Sequence, residues 1–248
     1  MAKTSGLGDR LFIGGNDISG DINAVDKIAG PLALINVTDI TQSANSRLGG
    51  KRDGAIDFTA YFDPALGAAH PVLAALPTGD VLVTYVRGAV LGNPAANMWA
   101  RQVDYDGTRS ATGELTFKVS AVGDAYGLEW CDQLTAGPRV DTAATNGASV
   151  DLTTVSTAFG WQAYLQAIAI TGTSCTVDIQ DSADGVTFAD LAGATFTAFT
   201  AGGTFQRLQS SSSTATVRRY LRVITSGTFS SATFAVSVCR NLTAQPSF

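Results

Sequence analysis

The sequence predicts an all-β, mainly antiparallel fold made of two successive sandwich- or barrel-like units with one short helix. Three observations predict it. Ile56, Phe58, Ala60 and Phe62 share one face of residues 56–62, and Leu115, Phe117, Val119 and Ala121 share one face of residues 115–122. That period of two marks a half-buried strand. Runs of this kind recur between Gly-, Asn-, Asp- and Ser-bearing turns along all 248 residues. Helix-start signals are confined to Asp63-Pro64 and His70-Pro71.

In chain order, residues 10–13 read as a strand, Gly14-Gly15-Asn16-Asp17 as a turn, and residues 18–25 as the return. Residues 34–40 and 56–62 read as two strands joined by a long basic loop, residues 41–54, which holds Arg47, Gly49, Gly50, Lys51, Arg52, Asp53 and Gly54. A tight hairpin needs about two to five loop residues, so this connection is expected to reach out and touch something. Pro71 inside one continuous helix would cost about 3 kcal/mol, so a helix is expected near residues 71–76, ended by Pro77 and preceded by an irregular turn. Residues 81–87, 98–105 and 115–122 read as further strands, with Asp106-Gly107 and Thr112-Gly113 as turns.

Residues 136–147 are small, polar and without periodicity, as linkers are, which divides the chain into 1–137, a linker 138–147, and 148–248. Beyond the linker, strands are expected at 161–171, 175–180, 186–190, 195–199, 205–209, 219–225 and 233–239. Turns at 182–185, 202–203 and 226–227 separate them. Short strands at this spacing predict a second β-sandwich.

Apolar residues make up 45% of the chain and charged residues 15%, which excludes a disordered protein and leaves a surface rich in Thr, Ser, Gly and Ala. Such a surface suits one largely covered by neighbours, and equally a hydroxyl-rich exterior. Residues 1–145 hold 11 Lys+Arg against 16 Asp+Glu, while residues 146–248 hold 5 of each. The net charge of −5 therefore belongs to the first part, and an acidic chain lacks the cations that phosphate contacts require. No apolar stretch follows the basic start and no run nears the ~18 apolar residues of a membrane span, so neither a signal peptide nor a membrane anchor is expected. Cys131, Cys175 and Cys239 are far apart and odd in number, which points to reduced thiols made in a cytoplasm.

The inventory of chemistry is thin. His70 is the only histidine, and no nucleophile elbow accompanies it, so a structural role explains it better than a triad. Asp178, Asp181 and Asp184 suit calcium or an acid–base pair, but a solvated turn explains them better. Gly14-Gly15 and Gly49-Gly50 lack the Lys-Ser/Thr ending of a phosphate loop. No catalytic residue, cofactor site or metal site is expected.

Four segments in order, Leu11-Phe12-Ile13-Gly14-Gly15, Gly49-Gly50-Lys51-Arg52-Asp53-Gly54, the run from His70-Pro71 to Pro77, and Tyr105-Asp106-Gly107-Thr108-Arg109, resemble the major tail (tail tube) proteins of long-tailed, siphovirus-type phages, especially those of actinobacterial hosts. The resemblance covers about residues 1–140 and extends more loosely to the end. It implies a tail-tube domain over 1–137 and a structural, non-enzymatic virion protein, assembled in the host cytoplasm. Its homo-oligomeric rings, hexameric in the family, stack into the tube through which DNA is ejected. Other tail proteins (tape measure, terminator, baseplate) are implied as partners, and DNA passes without specific binding through a negatively lined bore. The loop residues from Arg47 to Gly54 are implied as an inter-ring contact, with Arg47, Lys51 and Arg52 pairing to carboxylates and the glycines supplying unusual backbone geometry.

Residues 177–188 with 219–223 resemble the galactose-binding-like jelly roll. The zero net charge of residues 146–248 and the polar tract Ser210–Thr216 lead to the expectation of a decoration domain over 148–248 on the outside of the tube, removable by cutting the polar linker, with Trp161, Tyr164 and Tyr220 as candidate glycan-stacking platforms. A carbohydrate-binding or adhesive virion module, or a glycan-degrading enzyme, are the alternatives to a tube subunit.

Overall fold

A computed structural model describes residues 5–75 and 79–244 of the chain. Strands β1 (Arg10–Ile13) and β2 (Asn16–Asp17) lead through a 3-10 turn to β3 (Ile22–Ala29), β4 (Leu32–Asn36), β5 (Arg47–Arg52) and β6 (Ala55–Tyr61). The helix α1 (Ala69–Leu73) precedes β7 (Val81–Val86), β8 (Pro94–Gln102), β9 (Asp106–Arg109), β10 (Leu115–Gly123) and β11 (Glu129–Gln133). Then come β12 (Arg139–Asp141), β13 (Asn146–Asp151), β14 (Trp161–Ser182), β15 (Ala189–Thr195), β16 (Thr204–Gln209) and β17 (Tyr220–Arg240). Pairing is antiparallel throughout, as the sequence predicts, and α1 is the only α-helix among the described residues.

The helix starts at Ala69, two residues earlier than the expected residue 71. Asp21 accepts a hydrogen bond from the Ala69 N–H (2.8 Å) and the Asp63 carbonyl accepts one from His70 N–H (3.0 Å), which fixes the start at Ala69. Pro71 then falls in the first turn, where an N–H has no intrahelical acceptor to lose. Leu76 and Pro77, the expected end, lie outside the described residues.

Alternation works as expected in β6, where Ile56, Phe58 and Ala60 are buried, and in β10, where Val119 and Ala121 are. Phe62 falls one residue past the end of β6, is exposed, and tilts against the His70 ring (centroids 4.6 Å). The first part packs one core around Leu11, Ile13, Phe58, Leu73, Val83 and Met98. The second packs another around Trp161, Val177, Phe196, Leu221 and Phe234.

One expected turn in the second part, 226–227, and one expected break between strands, 172–174, lie inside continuous strands. Residues 161–171 and 175–180 belong to one strand, β14, and residues 219–225 and 233–239 to another, β17, paired along their full length from Trp161↔Arg240 to Ser182↔Tyr220. The register shifts on both sides of Gly172. Gly172 (φ +149°) and Gly227 (φ +118°) adopt backbone that other residues rarely reach, so the glycines bend a continuous ribbon through bulges.

Residues 138–147 also differ from a free linker. β12 and β13 pair with β17, Arg139 donates to the Val223 carbonyl (3.0 Å), and Thr225 donates to Asp141 (2.6 Å). Of the expected strand over residues 98–105, only residues 98–102 are strand, the end of β8, and Asp106-Gly107 opens β9, paired with β10 through Gly107↔Phe117.

The two parts share one sheet, in the order β15-β14-β17-β11-β8-β10-β6-β3. Phe12, Val86 and Ala95 pack on Ala235, and Leu82 and Cys131 on Tyr164. Buried polar groups lace the same seam. Gln166 donates to the Leu82 carbonyl and to Thr84 (both 3.0 Å) and accepts from the Gly15 N–H (2.7 Å), while Ser237 donates to Asn97 (3.0 Å).

Gly15 sits at the closest approach. Its φ is +80°, and a Cβ there would lie 2.3 Å from the Thr204 backbone nitrogen. Gly15→Ala combines left-handed strain with a backbone clash, and is expected to cost about 2 kcal/mol or more in denaturant unfolding. A midpoint unchanged to within about 0.5 kcal/mol would show that the seam can open without loss.

Candidate assembly interface

The Arg47–Gly54 segment is half strand rather than loop. β4 and β5 form their own two-stranded sheet, with Leu34↔Gly49, Ile35↔Leu48 and Asn36↔Arg47 opposite one another. The connection between them, residues 37–46, is an ordered tip. Val37 N–H donates to the Ser46 carbonyl (2.9 Å), Ser46 N–H to the Thr38 hydroxyl (2.8 Å), and Thr38 N–H to the Asn36 side chain (3.0 Å). Two hydrogen bonds from Thr41 hold the Asp39 carboxyl below its usual range.

The base of this arm is bolted to the body. Asp53 N–H donates to the Pro31 carbonyl (3.0 Å), Leu128 N–H to the Asp53 carbonyl (3.2 Å), and Gly123 N–H to the Gly54 carbonyl (2.8 Å). Asp53 also caps the Gly54 N–H with its own carboxylate (2.7 Å). Arg52 donates to the Leu128 carbonyl (3.2 Å) and approaches Glu129 at 3.8 Å. Glu129, itself buried, meets Tyr164 and Arg207 of the second part, so the arm's root is tied into the seam.

These contacts sort the expected site residues. Arg52 is engaged within its own chain, whereas Arg47 and Lys51 make no ion pair with the described residues. Gly49, Gly50 and Gly54 all keep negative φ, so they do not supply unusual backbone geometry. Space explains them instead. A Cβ on Gly54 would lie 2.6 Å from the Met98 sulfur, and one on Gly50 3.1 Å from the Ala33 carbonyl.

What the sequence reading missed is the apolar character of the arm. Leu34 (65%), Ile35 (52%) and Leu48 (57%) are exposed, as are Leu32, Val37 and Ile40. By strand alternation, Ala33, Ile35 and Leu48 lie on one face and Leu32 and Leu34 on the other. Gly49 and Gly50 leave each face partly bare. A lone two-stranded ribbon is marginal in water, and one apolar on both faces is a surface for something else. The signal was present in residues 32–35, Leu-Ala-Leu-Ile, a run too continuous for a strand with one solvated face.

The other candidates resolve as structural. His70 Nδ1 lies 3.0 Å from the Tyr105 hydroxyl within a cluster with Phe62 and Phe117. Asp184 accepts from the Val186 and Thr187 N–H groups (2.9 and 2.8 Å), which draws its carboxyl down to about 2. Burial pushes Asp178 and Asp181 the other way, and Asp181 accepts from the Arg218 N–H (2.9 Å). Among the described residues, no group of three or more His, Cys, Asp or Glu side chains is placed to hold a metal ion, and no helix is long and apolar enough to cross a membrane.

Two of the three candidate glycan-stacking residues are buried. Trp161 (0%) and Tyr164 (2%) are core residues, the former inside the second part and the latter in the seam. Aromatic residues read from sequence as platforms are here packed because β14 is buried along residues 161–167. Tyr220 carries the Arg219 guanidinium 5.1 Å above its ring.

No protein-family model matches the chain, and no curated protein matches it. Among solved structures it is similar to a chain of the native gene transfer agent virion, at 13% identity and TM-score 0.42 over 52% of this chain and 98% of that one. A chain from the tail of the empty gene transfer agent particle, refined with C6 symmetry, gives 15% identity and TM-score 0.42 over the same shares. The SPP1 Dit protein, described as a paradigm of the hub adsorption apparatus in phages infecting Gram-positive bacteria, gives 12% identity and TM-score 0.35 over 94% of this chain and 99% of that one.

Proposed function

We propose that this chain is a structural, non-enzymatic virion protein whose rings stack into the tail tube through which DNA is ejected. The observation that carries the reading is the β4–β5 arm, rigidly rooted at Asp53-Gly54 and apolar on both faces. A surface of this kind needs a partner, and a copy of the same chain supplies one by head-to-tail stacking. Free sheet edges at β3, β9 and β15 need the same neighbours or shielding. The acidic balance of residues 1–145 suits a conduit that must not hold DNA. Hexameric rings and the other tail proteins as partners follow from the family resemblance, and an outer position for residues 148–248 from their zero net charge and the polar tract Ser210–Thr216.

Sedimentation across a concentration series, with negative-stain imaging of the purified protein and of a native particle, tests this. Closed rings stacking into hollow tubes are expected. Monomers under every condition, with the chain absent from the particle's tube, would reject the reading. Rings that never stack would limit the chain to a single ring of the tail.

A further inference from the structure

We propose that Cys131 and Cys239 are a redox modification site, a cross-strand pair that closes to a disulfide between the two parts of the chain when a disulfide oxidant is present. The geometry follows from the β11–β17 ladder. Leu134 N–H donates to the Val236 carbonyl (2.9 Å), and the next pairs along are Gln133↔Ser237 and Asp132↔Val238. Hydrogen-bonded and non-hydrogen-bonded positions alternate in an antiparallel pair. Continued one residue past Asp132↔Val238, the same register sets Cys131 opposite Cys239, at a non-hydrogen-bonded position counted from Leu134 and Val236. Opposed Cα atoms there are about 4.5 Å apart. That general spacing falls within the about 4.4–6.8 Å that a disulfide spans.

Both side chains point to the same side. Cys131 is buried with Leu82 and Tyr164, and Cys239 packs against that group. The Cys239 thiol also reaches the Trp130 carbonyl (3.3 Å), one residue from Cys131. Burial pushes the Cys131 thiol up, and the neighbouring Cys239 pushes it further. Cys175, the third thiol, is buried elsewhere in the second part and is pushed up to about 11.

Half-buried Cys239 is the entry point. Its thiolate attacks one sulfur of oxidised glutathione, forming a mixed disulfide and releasing one glutathione. Cys131 then gives up its proton and attacks the Cys239 sulfur, releasing the second glutathione. Two protein thiols lose two protons and two electrons, and one oxidised glutathione becomes two reduced ones. The second step is slow, because Cys131 must ionise in a buried site, and is faster at about pH 9 than at about pH 7.

The crosslink joins β11 to β17 and closes a loop of about a hundred residues, the case in which such bonds stabilise most. The test is incubation of the folded protein with oxidised glutathione, followed by intact-mass and peptide mapping and a thermal melt. The expected result is loss of two hydrogen masses, a Cys131–Cys239 crosslinked peptide, and a thermal midpoint higher by about 5 °C or more. Cys175→Ser leaves this unchanged, and Cys131→Ser or Cys239→Ser abolishes it. A glutathione adduct that persists on Cys239, or no change in mass, would overturn the proposal, and both are read on the unsubstituted chain.

Discussion

A chain ending at Asn146 is expected to lose its cooperative fold. Removing residues 147–248 strips β17 from β11 and β12, and removes Ala235, Tyr164 and Gln166 from the seam. Phe12, Leu82, Val86 and Ala95, all buried in the whole protein, would then face water. Fully burying a large apolar side chain is worth about 1.5–3 kcal/mol, so three or four such losses approach the whole stability of an ordinary domain, about 5–15 kcal/mol. Thr84 and Asn97 would also lose the Gln166 and Ser237 partners that satisfy them in a dry environment. Near-ultraviolet circular dichroism and a thermal melt of residues 1–146 give the answer. A sharp transition near that of the full chain would mean the first part folds alone and the seam is dispensable. This is the reverse of the separable decoration domain that composition suggests, and the division at 138–147 is better tested by point changes at Gly15 than by cutting.

The difference shows what was legible in the sequence and why. β6 and β10 were readable because each has one buried face, so polarity alternates and the pattern is local. The two long strands β14 and β17 were not readable as units, since Gly172, Ser226 and Gly227 carry turn chemistry and only the partner strand decides between a turn and a bulge. Residues 136–147 look like a linker because their hydrogen bonds go to β17, about eighty residues on in sequence. Asp106-Gly107 reads as a turn, yet Gly107 is a strand residue whose missing side chain leaves room for the Phe117 ring, 2.7 Å from where a Cβ would be. Phe117 in turn stacks on Tyr105 at 4.2 Å, a contact that no spacing rule signals. Length marks residues 41–54 as a segment apart from the flanking strands, but residues 47–52 within it are a strand paired with β4, which length cannot show. The arm's cations drew attention over its leucines, although charge is cheap at a surface and exposed apolar area is not.

Replacing Leu34, Ile35 and Leu48 together with glutamate is expected to abolish stacking while leaving the subunit as stable as before. All three side chains are exposed, and such substitutions usually move stability by less than about 0.5 kcal/mol. On the proposed reading each would be covered in the assembled tube, so the transfer of three large apolar groups would be lost at every copy, with carboxylates buried in their place. Arg47→Glu with Lys51→Glu is expected to weaken growth more gently and in a salt-dependent way, since an exposed ion pair contributes about 0.2–1 kcal/mol. Arg52→Glu separates from both. It breaks the contacts to the Leu128 carbonyl and Glu129 and places a carboxylate beside a buried one, so it lowers the melting midpoint of the isolated subunit. Thermal melts of the monomers and tube length by negative-stain imaging distinguish the three. Normal tubes from the Leu34, Ile35 and Leu48 variant would show that the arm is not the stacking surface. Unstable monomers from that same variant would show that the arm's apolar faces are covered within the chain, against the exposure on which the reading rests.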